Sequence, residues 1–143
     1  ESVAQRPSAG MWEVDITLDP FPCNGGTTSC EALWMGLPLI SMETDSYMGR
    51  QGASYLGKLG LDDFIARDTE AYVEKAVQLA ADTQRVAALR ETLRSKVESE
   101  IFDYDQHIQE LETAYCYMIE RFRTGKPRIP FNVRNNSVSE QNI

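Results

Sequence analysis

Leu18 is followed by Asp19-Pro20-Phe21-Pro22-Cys23-Asn24-Gly25-Gly26-Thr27-Thr28-Ser29-Cys30-Glu31-Ala32-Leu33-Trp34-Met35-Gly36, and this stretch limits the possible folds more than any other. Upstream, Val14, Ile16 and Leu18 alternate with Asp15, Thr17 and Asp19. That period predicts a strand over Val14–Leu18 with its apolar side buried. Pro20 and Pro22 bring no backbone N–H, so the chain must leave the sheet near Asp19. Asn24-Gly25-Gly26 permits a sharp turn and a close approach of backbone to ligand. Thr27, Thr28 and Ser29 suit the opening of a helix, and Gly36 suits its end. Leu37–Ser41 is then a short apolar run, as expected of a buried strand. Strand, turn, helix and strand make a βαβ unit close to the usual ~30 residues, so the chain reads as α/β with parallel strands.

The same stretch has chemical consequences. The first N–H groups of a helix have no intrahelical partner, and the helix dipole places partial positive charge there. An anion such as a diphosphate is a natural occupant. Glu31, read as lying on the first turn, offers a carboxylate that can accept from two ribose hydroxyls, the chemistry an acid performs in dinucleotide folds. The alternative is a plain loop with a good cap, with Glu31 favoured near the helix start by the dipole alone. These residues by themselves leave both readings open.

The longer string Val14-Asp15-Ile16-Thr17-Leu18-Asp19-Pro20-Phe21-Pro22, then Asn24-Gly25-Gly26-Thr27-Thr28 and Glu31-Ala32-Leu33-Trp34-Met35-Gly36-Leu37-Pro38, resembles the C-terminal catalytic region of the O-linked N-acetylglucosamine transferase family. Bacterial homologues and plant SPINDLY-type proteins share that region. The likeness extends through Arg50, Gly52-Ala53-Ser54, Leu59-Gly60-Leu61, Ile65-Ala66-Arg67 and Tyr72 to the helix ending near Phe122, covering roughly residues 12 to 124. It implies a GT-B glycosyltransferase, with two Rossmann-like domains and a nucleotide-sugar donor in the cleft between them. By the resemblance, Gly25, Gly26, Thr27 and Thr28 sit against the donor diphosphate and Glu31 holds the ribose. Asn24 and Arg50 border the cleft. The family often has His at the position of Gly26 and Tyr at that of Cys23. The first departure removes a side-chain donor to phosphate and leaves backbone N–H groups. The resemblance implies no metal and no cofactor beyond the nucleotide-sugar. It implies transfer of N-acetylglucosamine from UDP-GlcNAc to protein Ser or Thr with inversion. SPINDLY-type relatives use GDP-fucose, which is the alternative donor, and a non-catalytic nucleotide-binding or scaffold domain is a third reading. No catalytic base is recognisable.

A length of 143 residues suits one domain. Yet the only clear strands are Val14–Leu18 and Leu37–Ser41, with a short third near Phe64–Ile65. The fold class expected is therefore a partial Rossmann-like domain, the C-terminal half of a GT-B C-domain, helix-rich after the βαβ unit. The missing half would leave apolar sheet surface bare. The expected partners are a nucleotide-sugar, a protein acceptor, the upstream N-terminal catalytic half and tetratricopeptide repeats, although no 34-residue period is visible in this chain.

Fourteen basic against twenty-two acidic residues give a net charge of −8. That balance argues against nucleic-acid binding, which needs basic surface. Cys23, Cys30 and Cys116 form no Cys-x-x-Cys pair. They fit reduced thiols in the cytoplasm, with the nucleus open to a eukaryotic protein. No apolar run reaches the ~20 residues of a membrane span.

Further along, Arg50 opens a helix, where it either touches the donor or the opposite domain or is simply solvated. The Met42–Gly49 loop and the Pro20–Gly26 turn both follow strands, so they should edge one cleft. Asp68 is expected to cap a helix with an apolar face of Val73, Ala76, Val77 and Ala80. Asp82 caps another, with Val86, Leu89, Leu93 and Val97 on one face. Asp103, with Gln106 three residues on, opens a third. Its stripe of Ile108, Leu111, Tyr115, Met118, Ile119 and Phe122 would face a partner by the resemblance. Trp34 and Met35 read as packing, and the lone His107 as structural. Residues 1–11 read as irregular, 12–124 as the nucleotide-sugar-binding part and 125–143 as a flexible tail.

Overall fold

The structure, a computed structural model, describes residues 13–140; the segment 1–11 lies outside the described residues. The chain divides into two compact units, with the boundary between Phe102 and Asp103. The last long helix therefore groups with the C-terminal residues rather than with the βαβ unit.

The first unit is built on a parallel sheet of β1 (Thr17–Leu18), β2 (Leu39–Met42) and β3 (Ile65–Ala66), in the order β1-β2-β3. Thr17 pairs with Leu39 and Leu18 with Ile40, while Ser41 pairs with Ile65 and Met42 with Ala66. As the central strand, β2 is covered throughout, and Leu39, Ile40 and Ser41 are all fully buried. This is why it reads as an unbroken apolar run rather than as an alternation.

The alternation before Asp19 is kept only in part: Ile16 packs against the core and Asp15 is exposed as predicted, but Val14 and Leu18 are exposed too. Leu18 is 53% exposed and Asp19 1%. The cause is the Asp19 carboxylate, which must point inward to meet its hydrogen-bond donors and so turns Leu18 outward. Exposed apolar side chains on this strand agree with the expectation of bare sheet surface. The ladder itself covers only Thr17–Leu18, not Val14–Leu18.

Helix α1 (Thr27–Trp34) returns the chain to β2. It ends in a Schellman arrangement. Gly36 takes φ +81°, its N–H bonds Leu33 O, and Leu37 N–H bonds Ala32 O. Ala32 and Leu33 are buried. Trp34 meets the Phe102 ring edge-on with Arg94 over its face, so its role is packing as expected.

Helix α2 (Gln51–Lys58) follows a short 3-10 turn at Met48–Arg50. Helices α3 (Thr69–Ala81) and α4 (Thr83–Glu100) complete the unit. Asp68 and Asp82 cap them through Ala71 N–H and Arg85 N–H. In α4 the expected face is the buried one, with Val86, Leu93 and Val97 in the core beside Leu56 and Phe64. In α3 the buried face differs from the predicted one. Tyr72 and Leu79 are inside, whereas Val73 is 55% and Val77 63% exposed. Tyr72 donates its hydroxyl to the carbonyl of Asp19 at 2.7 Å, and that bond fits a rotation of the helix that turns the valines outward.

The second unit holds α5 (Tyr104–Arg123) and an antiparallel hairpin of β4 (Phe131–Arg134) and β5 (Ser137–Glu140). Asp103 caps α5 through Gln106 N–H at 2.9 Å. Where the sequence reads as a flexible tail, residues 131–140 are paired. Asn135 and Asn136 both take positive φ, 48° and 60°. Two such residues between paired strands make the two-residue turn that matches strand twist. Arg121 ties the hairpin to the helix by donating to Pro127 O, to the Tyr117 hydroxyl and to Glu140. The α5 stripe is exposed along its length, up to 82% at Phe122.

Candidate functional site

Asp19 ends the β1 arm, and its carboxylate organises the bend that follows. Oδ1 accepts from Gly25 N–H at 2.8 Å and from the Ser29 hydroxyl at 2.7 Å. Oδ2 accepts from the Ser41 hydroxyl at 2.7 Å. A buried carboxylate is costly unless donors surround it, and here the donors come from the bend, from α1 and from β2. Strand, turn and helix start are thereby locked together.

Asn24 fastens the other side. Its N–H bonds Met48 O, and its Nδ2 donates to Pro20 O and Met42 O. The Pro20–Gly26 turn and the Met42–Gly49 loop are thus joined directly and share one edge, as the positions after two strands require. The turn includes a cis Phe21-Pro22 peptide. Gly52 of α2 packs so tightly here that a Cβ would overlap Ser41 Oγ and Asp19 Oδ2.

Gly26 stands at the N-cap of α1, with no side chain capping the helix. Thr27, Thr28 and Ser29 were expected to cap or open the helix; they occupy its first three positions, and Ser29 turns inward to Asp19. The first helical amides therefore lie at a bend whose Thr27 and Thr28 are exposed. Glu31 is the fifth residue of α1, one turn further on than its reading on the first turn, and it is exposed. Residues three and four apart share a helix face, so Glu31 lies beside Thr28 and Thr27. Arg50 is exposed; it closes the 3-10 turn and stands at the N-cap of α2. With Tyr47, Gln51, Ser54 and Tyr55 it lines a cavity of about 300 Å³.

Burial raises the pKa of the Cys30 thiol, and neighbouring Glu31 adds to the effect. Tyr72 is also raised, by burial first and then by the Asp19 carboxylate. Tyr55 is raised chiefly by burial, with smaller effects from Cys30, Tyr47 and Asp19. Two buried side-chain atoms among the described residues lack a hydrogen-bond partner, Thr17 Oγ1 and Gln51 Oε1. Among the described residues no three His, Cys, Asp or Glu side chains gather as a metal-ligating group. The Asp-x-Asp triplet Asp103-Tyr104-Asp105 starts α5, where Asp103 serves as the cap. No helix among the described residues is long and apolar enough to cross a membrane.

The model for "Glycosyl transferase family 41" matches residues 10–111, a span holding β1, the bend, α1 and β2. The chain belongs to glycosyl transferase family 41. A relative from Eustoma exaltatum, described as a probable UDP-N-acetylglucosamine–peptide N-acetylglucosaminyltransferase SPINDLY, is 41% identical over 113 residues. That covers 78% of this chain and 12% of the relative. A Caenorhabditis elegans UDP-N-acetylglucosamine–peptide N-acetylglucosaminyltransferase is 32% identical over 114 residues, 79% of this chain and 10% of that one. A solved mutant of the Thermobaculum terrenum O-GlcNAc transferase aligns with a TM-score of 0.69 at 38% identity, over 77% of this chain and 21% of its own. The chain thus spans about a tenth of the curated relatives it matches, and over the matched region its α/β fold is that of the solved O-GlcNAc transferase.

Sequence reading found the bend and the helix start, and placed Glu31 one turn too early on that helix. It missed the part of Asp19, which directly precedes the bend, and of Ser41, Tyr72 and Gln51, which act from elements distant in sequence. The one available signal was a carboxylate at the end of a strand, directly before a Pro- and Gly-bearing turn.

Proposed function

We propose that this chain supplies the diphosphate- and ribose-binding part of the donor site in an inverting protein glycosyltransferase. The donor is UDP-GlcNAc and the acceptor a Ser or Thr hydroxyl of a cytoplasmic protein. The observation that carries this reading is the family 41 match across the whole bend, where the first amides of α1 have no side-chain cap. The descriptions of the relatives support UDP-N-acetylglucosamine as donor and a peptide as acceptor. The rest of the donor cleft and the acceptor site belong to an N-terminal catalytic half and to helical repeats, which are part of this proposal.

In this reading the amides of Gly26, Thr27 and Thr28, with the two Thr hydroxyls, face the diphosphate; the Gly25 amide, expected to join them, is instead committed to the Asp19 carboxylate and only shapes the bend. Glu31 accepts from the ribose hydroxyls. Asn24 holds the turn in shape, and Arg50 borders the cleft. During transfer the acceptor oxygen bonds to the anomeric carbon from the face opposite the leaving group. The bond from that carbon to the β-phosphate oxygen breaks, its electron pair stays on UDP, and the acceptor's hydroxyl proton is passed to water. Charge grows on the diphosphate at that moment, and donors already aimed at it lower the barrier without reorganising. Bound this way the leaving group requires no divalent ion.

The test is UDP-sugar transfer by the natural full-length protein carrying Thr28→Val or Glu31→Ala. Donor KM should rise in both and kcat should fall with Thr28→Val; wild-type values in both would remove these roles. GDP-fucose, the donor implied by the SPINDLY-type resemblance, is the second reading, although the SPINDLY relatives are themselves described as UDP-N-acetylglucosamine transferases. Competition between UDP and GDP decides between them, and failure to bind either leaves a scaffold.

A further inference from the structure

Gln51 begins α2, and its carboxamide reaches the bend from the wall facing α1. Its Oε1 is buried and has no hydrogen-bond partner. Its Nε2 has only Met48 Sδ, 3.8 Å away, and a thioether is a weak acceptor. A Cβ built on Gly26 would meet that Oε1 at 2.9 Å, and among the described residues beyond its chain neighbours only Gln51 lies within 4 Å of it. The space over the bend left free by the glycine is therefore held by this one carboxamide. The same side chain lines the 300 Å³ cavity beside Tyr47, Arg50, Ser54 and Tyr55.

Buried polar atoms are normally paired, and one that is not calls for an explanation. Here neither end of the amide gains a good partner from the protein. Oxygen and nitrogen of a Gln amide exchange by a half-turn about the last torsion, so which end faces Gly26 is decided by the hydrogen-bond partner. A carbonyl oxygen facing an anion would repel it, and an N–H₂ group would donate to it. We propose that Gln51 is a donor-binding residue. Its carboxamide N–H group bonds a diphosphate oxygen over Gly26, where the bend has no side chain of its own to offer. This rests on the diphosphate reading above.

The experiment is titration of the natural full-length protein, wild type and with Gln51→Met or Gln51→Glu, by UDP and by uridine. A protein that prefers guanine is titrated with GDP and guanosine instead. Met keeps the length and removes the donor; Glu keeps the shape and adds a negative charge. Loss of one charge-assisted bond should weaken UDP about tenfold for Met. The added repulsion should weaken it further for Glu, with uridine affinity held within about twofold in both, since uridine carries no phosphate to contact. Wild-type UDP affinity in both variants would overturn the assignment. So would a loss of uridine affinity in step with UDP, because Gln51 would then only shape the pocket. A wild-type protein that binds neither nucleotide removes the donor-site reading and this one with it; normal binding with silent Gln51 variants removes this one alone.

Discussion

Replacing Asp19 should loosen the bend and weaken nucleotide binding together, by amounts set by its hydrogen bonds. The carboxylate is 1% exposed and accepts from Gly25 N–H, Ser29 and Ser41 at 2.7–2.8 Å. In Asp19→Ala the two hydroxyls can rotate towards other acceptors, but the Gly25 N–H cannot, and the vacated space faces a polar cluster. Each buried donor left unmade costs about 1–3 kcal/mol. Release from burying a charge offsets part of that. A net loss of about 2 kcal/mol follows. Asp19→Asn keeps the shape. Its oxygen still accepts from Gly25 and Ser29, and the Ser41 hydroxyl can turn to accept from the new N–H₂. Only the charge assistance is lost, about 1 kcal/mol net. The order should therefore be wild type, Asn, then Ala, in both the calorimetric Tm and the affinity for UDP, with Ala weakening UDP about tenfold or more. Asp15→Ala is the control. Asp15 is an exposed carboxylate paired with Arg90 on the same arm, and surface pairs contribute little. Asp19→Ala with wild-type Tm and UDP affinity would refute the argument. An Asn variant as damaged as Ala would refute the claim that shape and acceptance matter more than charge.

Further outcomes can be stated briefly. Tyr72 has its pKa raised in the fold, mainly by burial and then by the Asp19 carboxylate. The unfolded chain therefore loses this proton first, so stability is present below the ordinary phenol value of about 10 and falls as pH rises through the folded value. Alkaline melting should show that slope, and Tyr72→Phe should reduce it. Cys30, held as a thiol by burial and by Glu31, should react with iodoacetamide more slowly than exposed Cys23 and Cys116, as read by peptide mass mapping. Chelation with EDTA should leave transfer unchanged; loss of activity restored by a divalent ion would contradict a leaving group held by amides. Arg121→Ala removes the donor to Pro127 O, Tyr117 and Glu140, and limited proteolysis should then cut within residues 124–130 where the wild type resists.

What the sequence revealed of this fold was local. Asp68, Asp82 and Asp103 cap the helices they were expected to cap because an N-cap bond spans only three residues, and the α4 face is right because its period is unbroken. Errors arose where a distant partner fixes an orientation. The Val14–Leu18 alternation is regular, but it fails at its end, where the Asp19 carboxylate turns inward to reach Ser41, 22 positions away, and Leu18 faces out. The valines of α3 make a plausible stripe, yet the Tyr72 hydroxyl, 53 positions from Asp19, helps to set which side of the helix is buried. The hairpin was missed for a different reason: its Asn135-Asn136 turn was read as polar tail composition instead of as two residues able to take positive φ.

The candidate site shows the same division in a sharper form. Apart from Gln51, the groups proposed to touch the donor, Gly26, Thr27, Thr28 and Glu31, fall within six residues, and so a motif could reveal them. The groups that hold them still come from β1, β2, α2 and α3, and no motif joins these. Preorganisation depends on the second set, because an amide assists a developing charge only if it does not have to move when that charge appears. Gly52 makes the dependence concrete. A methyl group there would overlap Ser41 Oγ and Asp19 Oδ2, so Gly52→Ala should push apart the carboxylate cluster without altering any group proposed to contact the donor. If the bend is held as described, Gly52→Ala should raise the UDP Kd by about as much as Asp19→Asn, tenfold or less. Combined with Asp19→Asn it should add little, because both changes act on one cluster. Full additivity in that double-mutant cycle would mean that Gly52 and Asp19 support the bend independently, and the picture of a single locked cluster would have to be abandoned.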